Sequence, residues 1–436
     1  MFGHYLQLGL HSLRRNPVLT LLMVMSIGLG VAASMTTWSV FRAVSGKPLP
    51  EKSAQLFVPQ IDNWGPNDII KNGQPPNSLT YRDATAFMQA HAAPRQTALY
   101  AVRYAITPTR AAGEPFNVQG HAVYADFFPM FNVPFRYGSG WSHADDDAHA
   151  GLVVISRRLN DRVFGGSNSV GRSIHLGDHD FRITGVLDDW NPQPRFYDVS
   201  NREPFGDQPD IFVPFTRAID LHSQTNGNNA CKDNAPPGWD GWLRSECVWI
   251  AFWAELPDAA ARAHYQRFLE NYAAQQRRSG RFNWLPQVQL HDLQGWLDYT
   301  QVVPSETPIS LMVAAGFLLV CMVNAVGPML AKFMRRATEI GVRRALGAPR
   351  RAIYLQFLVE AAIVGLAGGA VGLLFTGLGM LAIGMVFVAM IAQLAQMDAL
   401  LVAMTIATAL AVTLIAAFYP AWRAAHVRPA WQLKSN

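Results

Sequence analysis

Charge is scarce in this chain. Only 15% of its 436 residues are Asp, Glu, Lys or Arg, where about a quarter is usual in soluble domains. Cysteine is rarer still, at three residues, which excludes a disulfide-dense scaffold. The chain lacks a GxxxxGK[ST] phosphate loop and so has no recognisable ATP site. HExxH and GxSxG are also missing. Gly165-Gly166 and Gly368-Gly369 come without the strand and acidic partner of a nucleotide fold. No enzyme active site is legible. The net charge of +5 does not argue for nucleic acid, because its cations flank apolar runs instead of forming a basic face.

Those apolar runs are what the chain has in abundance. A helix that spans a bilayer needs about 20 apolar residues. Four stretches qualify: 18–44, 308–330, 352–392 and 399–420. The third is too long for one straight span. Two short spans there would put the C-terminus outside, against Arg423, Arg428 and Lys434. One long or bent helix, with Gln393–Asp398 as an external turn, avoids that. Arg14 and Arg15 precede the first run. Lys332, Arg335, Arg336, Arg343, Arg344, Arg350 and Arg351 crowd the 331–351 loop around one acid, Glu339. Lys and Arg in short loops mark the cytoplasmic side. The expectation is a multi-pass membrane protein, in contact with lipid, with both termini and the 421–436 tail cytoplasmic. A signal-peptide core runs about 7–15 residues; the first run is longer and reads as an anchor. Within 1–17, Phe2, Tyr5, Leu6, Gly9, Leu10 and Leu13 recur at helical spacing and predict an amphipathic helix on the inner face.

Residues 45–307 are soluble in composition and long enough for their own core, or for two subdomains. Strand-like runs at 151–155, 173–176, 181–187, 210–214 and 248–254 alternate with helical patterns at 81–90, 156–164 and 258–278. The predicted fold class is thus four transmembrane α-helices plus a large α+β domain between the first and second. Cys231 and Cys247 are the two cysteines of that domain. Outside the cytoplasm they are expected to pair, which would stabilise the fold by about 3 kcal/mol. Cys321 lies in a span and reads as a core thiol. His143, Asp145, Asp146, Asp147 and His149 tempt a metal reading. No glycine shapes that loop as a calcium site requires, so a solvated acidic turn is expected and no metal site is assigned.

The basic loop has its own physics. Arg336 to Leu346 predicts a short helix, Gly347 suits its end, and Pro349 suits the first turn of the next. Glu339 and Arg343 are four apart in the favourable order. Ile340 and Leu346, with Ala337 and Ala345, offer apolar contacts to a partner cleft. In the third span Gly365, Gly368, Gly369 and Gly372 form GxxxG spacings that allow close helix approach. Ser26, Gly30 and Ser34 repeat that small-residue stripe in the first span, and Asn324 could bond across a contact. Glu360 near the inner interface could pair with the loop.

Three segments resemble the MacB/FtsX-type permease subunits of ABC transporters. The first is Glu339-Ile-Gly-Val-Arg-Arg-Ala-Leu-Gly-Ala348, continuing through Gln356-Phe-Leu-Val-Glu360 to Gly372. The second is Tyr419 to Pro429. The third comprises Tyr124 to Phe135, Val153 to Gly165, Val170 to Arg172 and Ile183 to Leu187, which resemble the MacB-type periplasmic core. The resemblance implies four spans, a homo- or heterodimer, and a cytoplasmic ATPase that supplies ATP and Mg. Since this chain starts at the membrane, that ATPase is expected as a separate subunit, with no cofactor in the chain itself. Glu339, Ile340, Gly341, Arg343, Arg344, Leu346 and Gly347 are its expected coupling residues. Efflux of a peptide, antibiotic or lipid-like substrate, lipoprotein release, and FtsX-like control of a periplasmic hydrolase all remain open, with a periplasmic adaptor or hydrolase as a further partner. The Cys-bracketed insertion and the Trp239 to Trp253 stretch depart from the family pattern.

Overall fold

The protein is described by a computed structural model covering residues 17–44, 48–66, 74–106, 114–200, 204–302, 306–386 and 397–426. The expected helix over 1–17, most of the turn at Gln393–Asp398, and the tail past His426 lie outside the described residues.

Helix α1 spans Pro17–Val44. The chain then builds β1 (Leu56–Ile61), α2 (Tyr81–Ala90), β2 (Arg95–Ile106), β3 (Phe116–Val123), β4 (Phe135–Gly138), β5 (Leu152–Ile155), β6 (Ser173–Leu176), β7 (His179–Leu187) and β8 (Ile211–Pro214). It continues with α3 (Trp239–Arg244), β9 (Ala251–Glu255), α4 (Ala259–Arg278) and β10 (Val288–Asp292). Four helices follow: α5 (Glu306–Met334), α6 (Ala337–Ala345), α7 (Arg350–Val386) and α8 (Ala399–Ala425). Short helical turns fill several connections. The chain divides into two compact units, 46–303 and the remainder.

The 46–303 unit is built on one ten-stranded sheet, in the order β10-β1-β9-β2-β3-β8-β5-β7-β4, with β6 on β7. Where the sequence leads one to expect two subdomains, a single sheet runs throughout. Its central pair, β2 and β3, is antiparallel from Leu99↔Val123 to Ile106↔Phe116. The pairs β3/β8 and β5/β7 are parallel. Alternating apolar residues on these strands bury Tyr100, Val102, Val153, Ile155, Ile183 and Val213. Local signals set the helix ends. Thr80 Oγ1 accepts from Asp83 N at 3.1 Å to start α2, and Asp258 Oδ1 accepts from Ala261 N at 2.7 Å to start α4.

The tempting acidic turn is consumed by structure. Ser142 and Asp145 form a reciprocal cap. Buried Asp146 accepts from Ala125 N and Trp141 Nε1, both at 2.8 Å. His143 pairs with Asp126, and His149 with Asp220. Among the described residues no group of three His, Cys, Asp or Glu could hold a metal ion.

In the other unit α1, α5, α7 and α8 are long and apolar enough to cross a membrane. The third apolar run is one continuous helix to Val386. Small residues let these helices approach. Ser26 Oγ donates to Cys321 O, and Ser34 Oγ to Ala314 O, each at 3.1 Å, so the α1 stripe meets α5. The α7 glycines sort onto two faces. A Cβ at Gly365 would lie 3.0 Å from Thr413, and one at Gly369 3.3 Å from Ala409, both on α8. Gly368 and Gly372 instead face Ile27 and Val31 of α1. All four therefore pack within the chain. Asn324 is exposed.

Candidate functional site

The charged residues at one end of the helix bundle assemble around α6. Lys332 lies in the last turn of α5, and Arg336 sits at the α6 N-cap. Lys332 Nζ lies 3.0 Å from Glu360 Oε1 of α7, and it donates to Thr20 Oγ1 of α1 at 3.4 Å. Arg336 joins Glu360 at 3.2 Å to Glu339 at 3.1 Å. Arg343 contacts Glu339 at 2.8 Å and donates to Gln356 Oε1 of α7 at 3.1 Å. Cations and anions alternate along this chain, so each buried charge has an opposite neighbour. The result ties the N-cap of α6 to α7 and α7 to α5 by ion pairs, and Lys332 adds a hydrogen bond from α5 to α1.

Helix α6 is amphipathic. Ala337, Ile340 and Gly341 are buried, and Ile340 joins an apolar cluster with Phe333, Ile353, Phe357 and Ala421. This corrects the expectation that Ile340 and Ala337 present contacts to a partner: the face they share is turned into the bundle. Leu346, at 83% exposed, and Val342 point outward, as does Ala345. Leu346 caps the helix. Gly347 follows at φ +97°, a backbone that a side chain would strain. Gly347 N donates to Arg344 O and Ala348 N to Arg343 O, each at 3.1 Å, closing the turn before α7. Around this tip Arg335, Arg350 and Arg351 are exposed.

The expected site residues thus fall into two sets. Glu339 and Arg343 join the ion-pair chain, with Ile340 and Gly341 beneath it; Leu346 and Gly347 form the outward tip, with Arg344 half-exposed beside it. Lys332, Gln356 and Thr20 were not singled out as part of a site from sequence. Part of the signal was there: Gln356 and Glu360 are four apart on α7, so they share a helix face.

In the other unit, Cys231 and Cys247 are paired in a disulfide. An antiparallel bridge between Ala230 and Val248 closes the same loop.

A sheet-rich domain is thus inserted between the first and second of four membrane-length helices, and a short charged helix lies between the second and third. Residues 20–264 match the MacB-like periplasmic core domain, and residues 311–429 match the FtsX-like permease C-terminal domain. The chain belongs to the MacB/FtsX-type family of ABC transporter permeases. It is 25% identical, over 85% of its length and 51% of the relative's, to the macrolide export ATP-binding/permease protein MacB of Pasteurella multocida. It is 28% identical, over 73% of its length and 43% of the relative's, to the pyoverdine export ATP-binding/permease protein PvdT of Pseudomonas aeruginosa. The chain spans about half the length of the curated relatives it matches. The periplasmic region of MacB from Actinobacillus actinomycetemcomitans aligns with 61% of this chain and 96% of that one, at 10% identity and a TM-score of 0.36.

Proposed function

We infer that this chain is the permease and mechanical transducer of an ABC transporter. A cytoplasmic ATPase grips the α6 tip, and ATP-driven closure displaces α6. Helices α5 and α7 follow, and the 46–303 unit moves in the periplasm. ATP and Mg enter through the ATPase, and a second permease copy completes the assembly. The α6 end of the bundle is cytoplasmic in this reading, because its exposed arginines obey the rule for inner loops. The supporting observation is the division of labour on α6. One face is fastened by Glu339, Arg336 and Glu360, while Leu346 stands exposed on the other. A helix fastened this way transmits displacement; a loose loop would not. The relatives' names, macrolide export and pyoverdine export, favour efflux of a small molecule over hydrolase control or lipoprotein release.

The test separates the tip from the fastening. Leu346→Asp with Arg344→Glu should abolish co-purification with an ABC ATPase co-expressed from the same genome, and any stimulation of its ATP hydrolysis. Membrane insertion should persist, because Lys332, Arg335, Arg350 and Arg351 remain. Full assembly and full stimulation in this variant would reduce α6 to a topogenic linker and end the lever reading.

A further inference from the structure

The Cys-bracketed loop walls a cleft in the 46–303 unit. Its volume is about 530 Å³, within the usual range of about 300–1,000 Å³ for ligand pockets. Trp239 and Trp242 of α3 form one side, and His222, Gln224, Thr225 and Asn229 line the rest. Both walls are held in place. Trp239 and Trp242 rest against fully buried Trp249, at centroid distances of 6.4 and 6.1 Å. Trp249 in turn meets Tyr100 edge-on at 4.8 Å. Helix α3 lies so close to the preceding loop that a Cβ at Gly241 would be 2.4 Å from Pro236 O. The opposite wall is pinned to β2: Tyr100 Oη donates to Ser223 O at 3.1 Å, and Asn226 N to Ala101 O at 2.8 Å. His222 stacks on Trp239 at 5.5 Å.

The lining chemistry narrows the ligand. Among the described residues, none that lines the cleft carries a carboxylate, ammonium or guanidinium group. A cationic or anionic ligand would find no opposite charge there. A wholly apolar ligand would strand the carboxamides of Gln224 and Asn229. Both carboxamides are exposed, so their donors and acceptors can turn to a ligand. The fitting ligand is neutral, with one apolar face and an edge that both donates and accepts. A pyranose ring has that form. Its axial C–H face suits the electron-rich face of an indole, and its hydroxyl edge suits two carboxamides and a threonine hydroxyl. A proline-rich peptide also docks on aromatic grooves, but its prolines offer acceptors alone and would leave the carboxamide oxygens unmet.

We propose that the cleft between α3 and the 222–229 segment binds a neutral glycan, with Trp239 as the stacking platform and Gln224 and Asn229 as the hydroxyl readers. Glycan binding here needs no ATPase, so its failure would leave the coupling reading untouched. The experiment is saturation-transfer NMR on the full chain purified in detergent, with maltotriose and with triacetylchitotriose as probes. Transfer to the ring C–H protons of at least one glycan is expected. Trp239→Ala should weaken it about tenfold or more, Trp239→Phe less, and Asn229→Ala severalfold. Should Trp239→Ala fail to fold, Asn229→Ala decides, since Asn229 is exposed on the rim. Silence with both glycans overturns the proposal. So does transfer that neither variant weakens, or transfer to an oligoproline peptide while both glycans stay silent.

Discussion

Lys332 and Glu360 form an ion pair at 3.0 Å inside the helix bundle, with side chains 1% and 3% exposed. Glu360 also serves Arg336, so one carboxylate compensates two cations. Burial makes this arrangement sensitive to loss of a single partner, because the remaining charges cannot rehydrate.

Removing that carboxylate should therefore be costly. Glu360→Gln leaves Lys332 without its counter-charge and should destabilise the membrane unit by about 3–5 kcal/mol. Replacing both partners by apolar residues, Lys332→Met with Glu360→Leu, should restore most of the loss, since Arg336 keeps Glu339. Denaturant unfolding of the single and double variants in detergent measures this. A double variant no better than Glu360→Gln would show that the pair is not the stabilising unit.

Helix approach in the bundle depends on α7 glycines. A Cβ at Gly368 would lie 3.1 Å from Ile27 Cγ2, so Gly368→Leu forces α1 and α7 apart. Overpacking of this kind costs about 1–3 kcal/mol. Gly377 has its nearest neighbour, Met397 Cε, at 3.6 Å, and Gly377→Ala should be mild. Equal midpoints for the two variants in a thermal assay would show that the α1–α7 contact tolerates widening.

The membrane architecture was legible in sequence because its signals are local: apolar length, flanking arginines, and Gly347 at a helix end. Several elements of the external unit were equally plain. Helix α2 was expected at 81–90 and is Tyr81–Ala90. The sheet as a whole was not. Its edge strand β10 pairs with β1 across most of the unit, with Phe57 opposite Asp292. Val288, Gln289, Leu290 and His291 alternate apolar and polar, but so short a run does not name its partner, and pairing at that separation leaves no local trace. The same holds for α6. Its helical span was readable, but which face turns inward depends on Phe357 and Ala421, elements that sequence alone does not bring beside it.

The loop that walls the cleft has a redox prediction. Cys231 and Cys247, 16 positions apart, should be recovered as a linked pair when protein from the native compartment is peptide-mapped without reductant. Cys231→Ser with Cys247→Ser should cost about 3 kcal/mol, on the chain-entropy model. Two free thiols in native material would remove the staple from the fold.

Asp146 makes the external unit pH-dependent. Burial raises its carboxyl to about 6, against the opposing pull of Ala125 N and Trp141 Nε1. The unfolded chain releases the same proton near the ordinary value of 3.8. Between these values the folded state holds more protons than the unfolded one, so stability falls as pH rises through the window. The full difference is at most about 3 kcal/mol. Asp146→Asn cannot titrate. It sets an amide N–H against one of the two donors, and that penalty is the same at every pH. The wild-type advantage over Asp146→Asn should therefore shrink between about pH 4 and about pH 6.5 and then level off. Urea unfolding of both proteins across that range, followed by tryptophan fluorescence, supplies the difference, in which all other titrating groups cancel. A difference that stays flat with pH would mean that Asp146 is already ionised at the acid end, with its two donors outweighing burial.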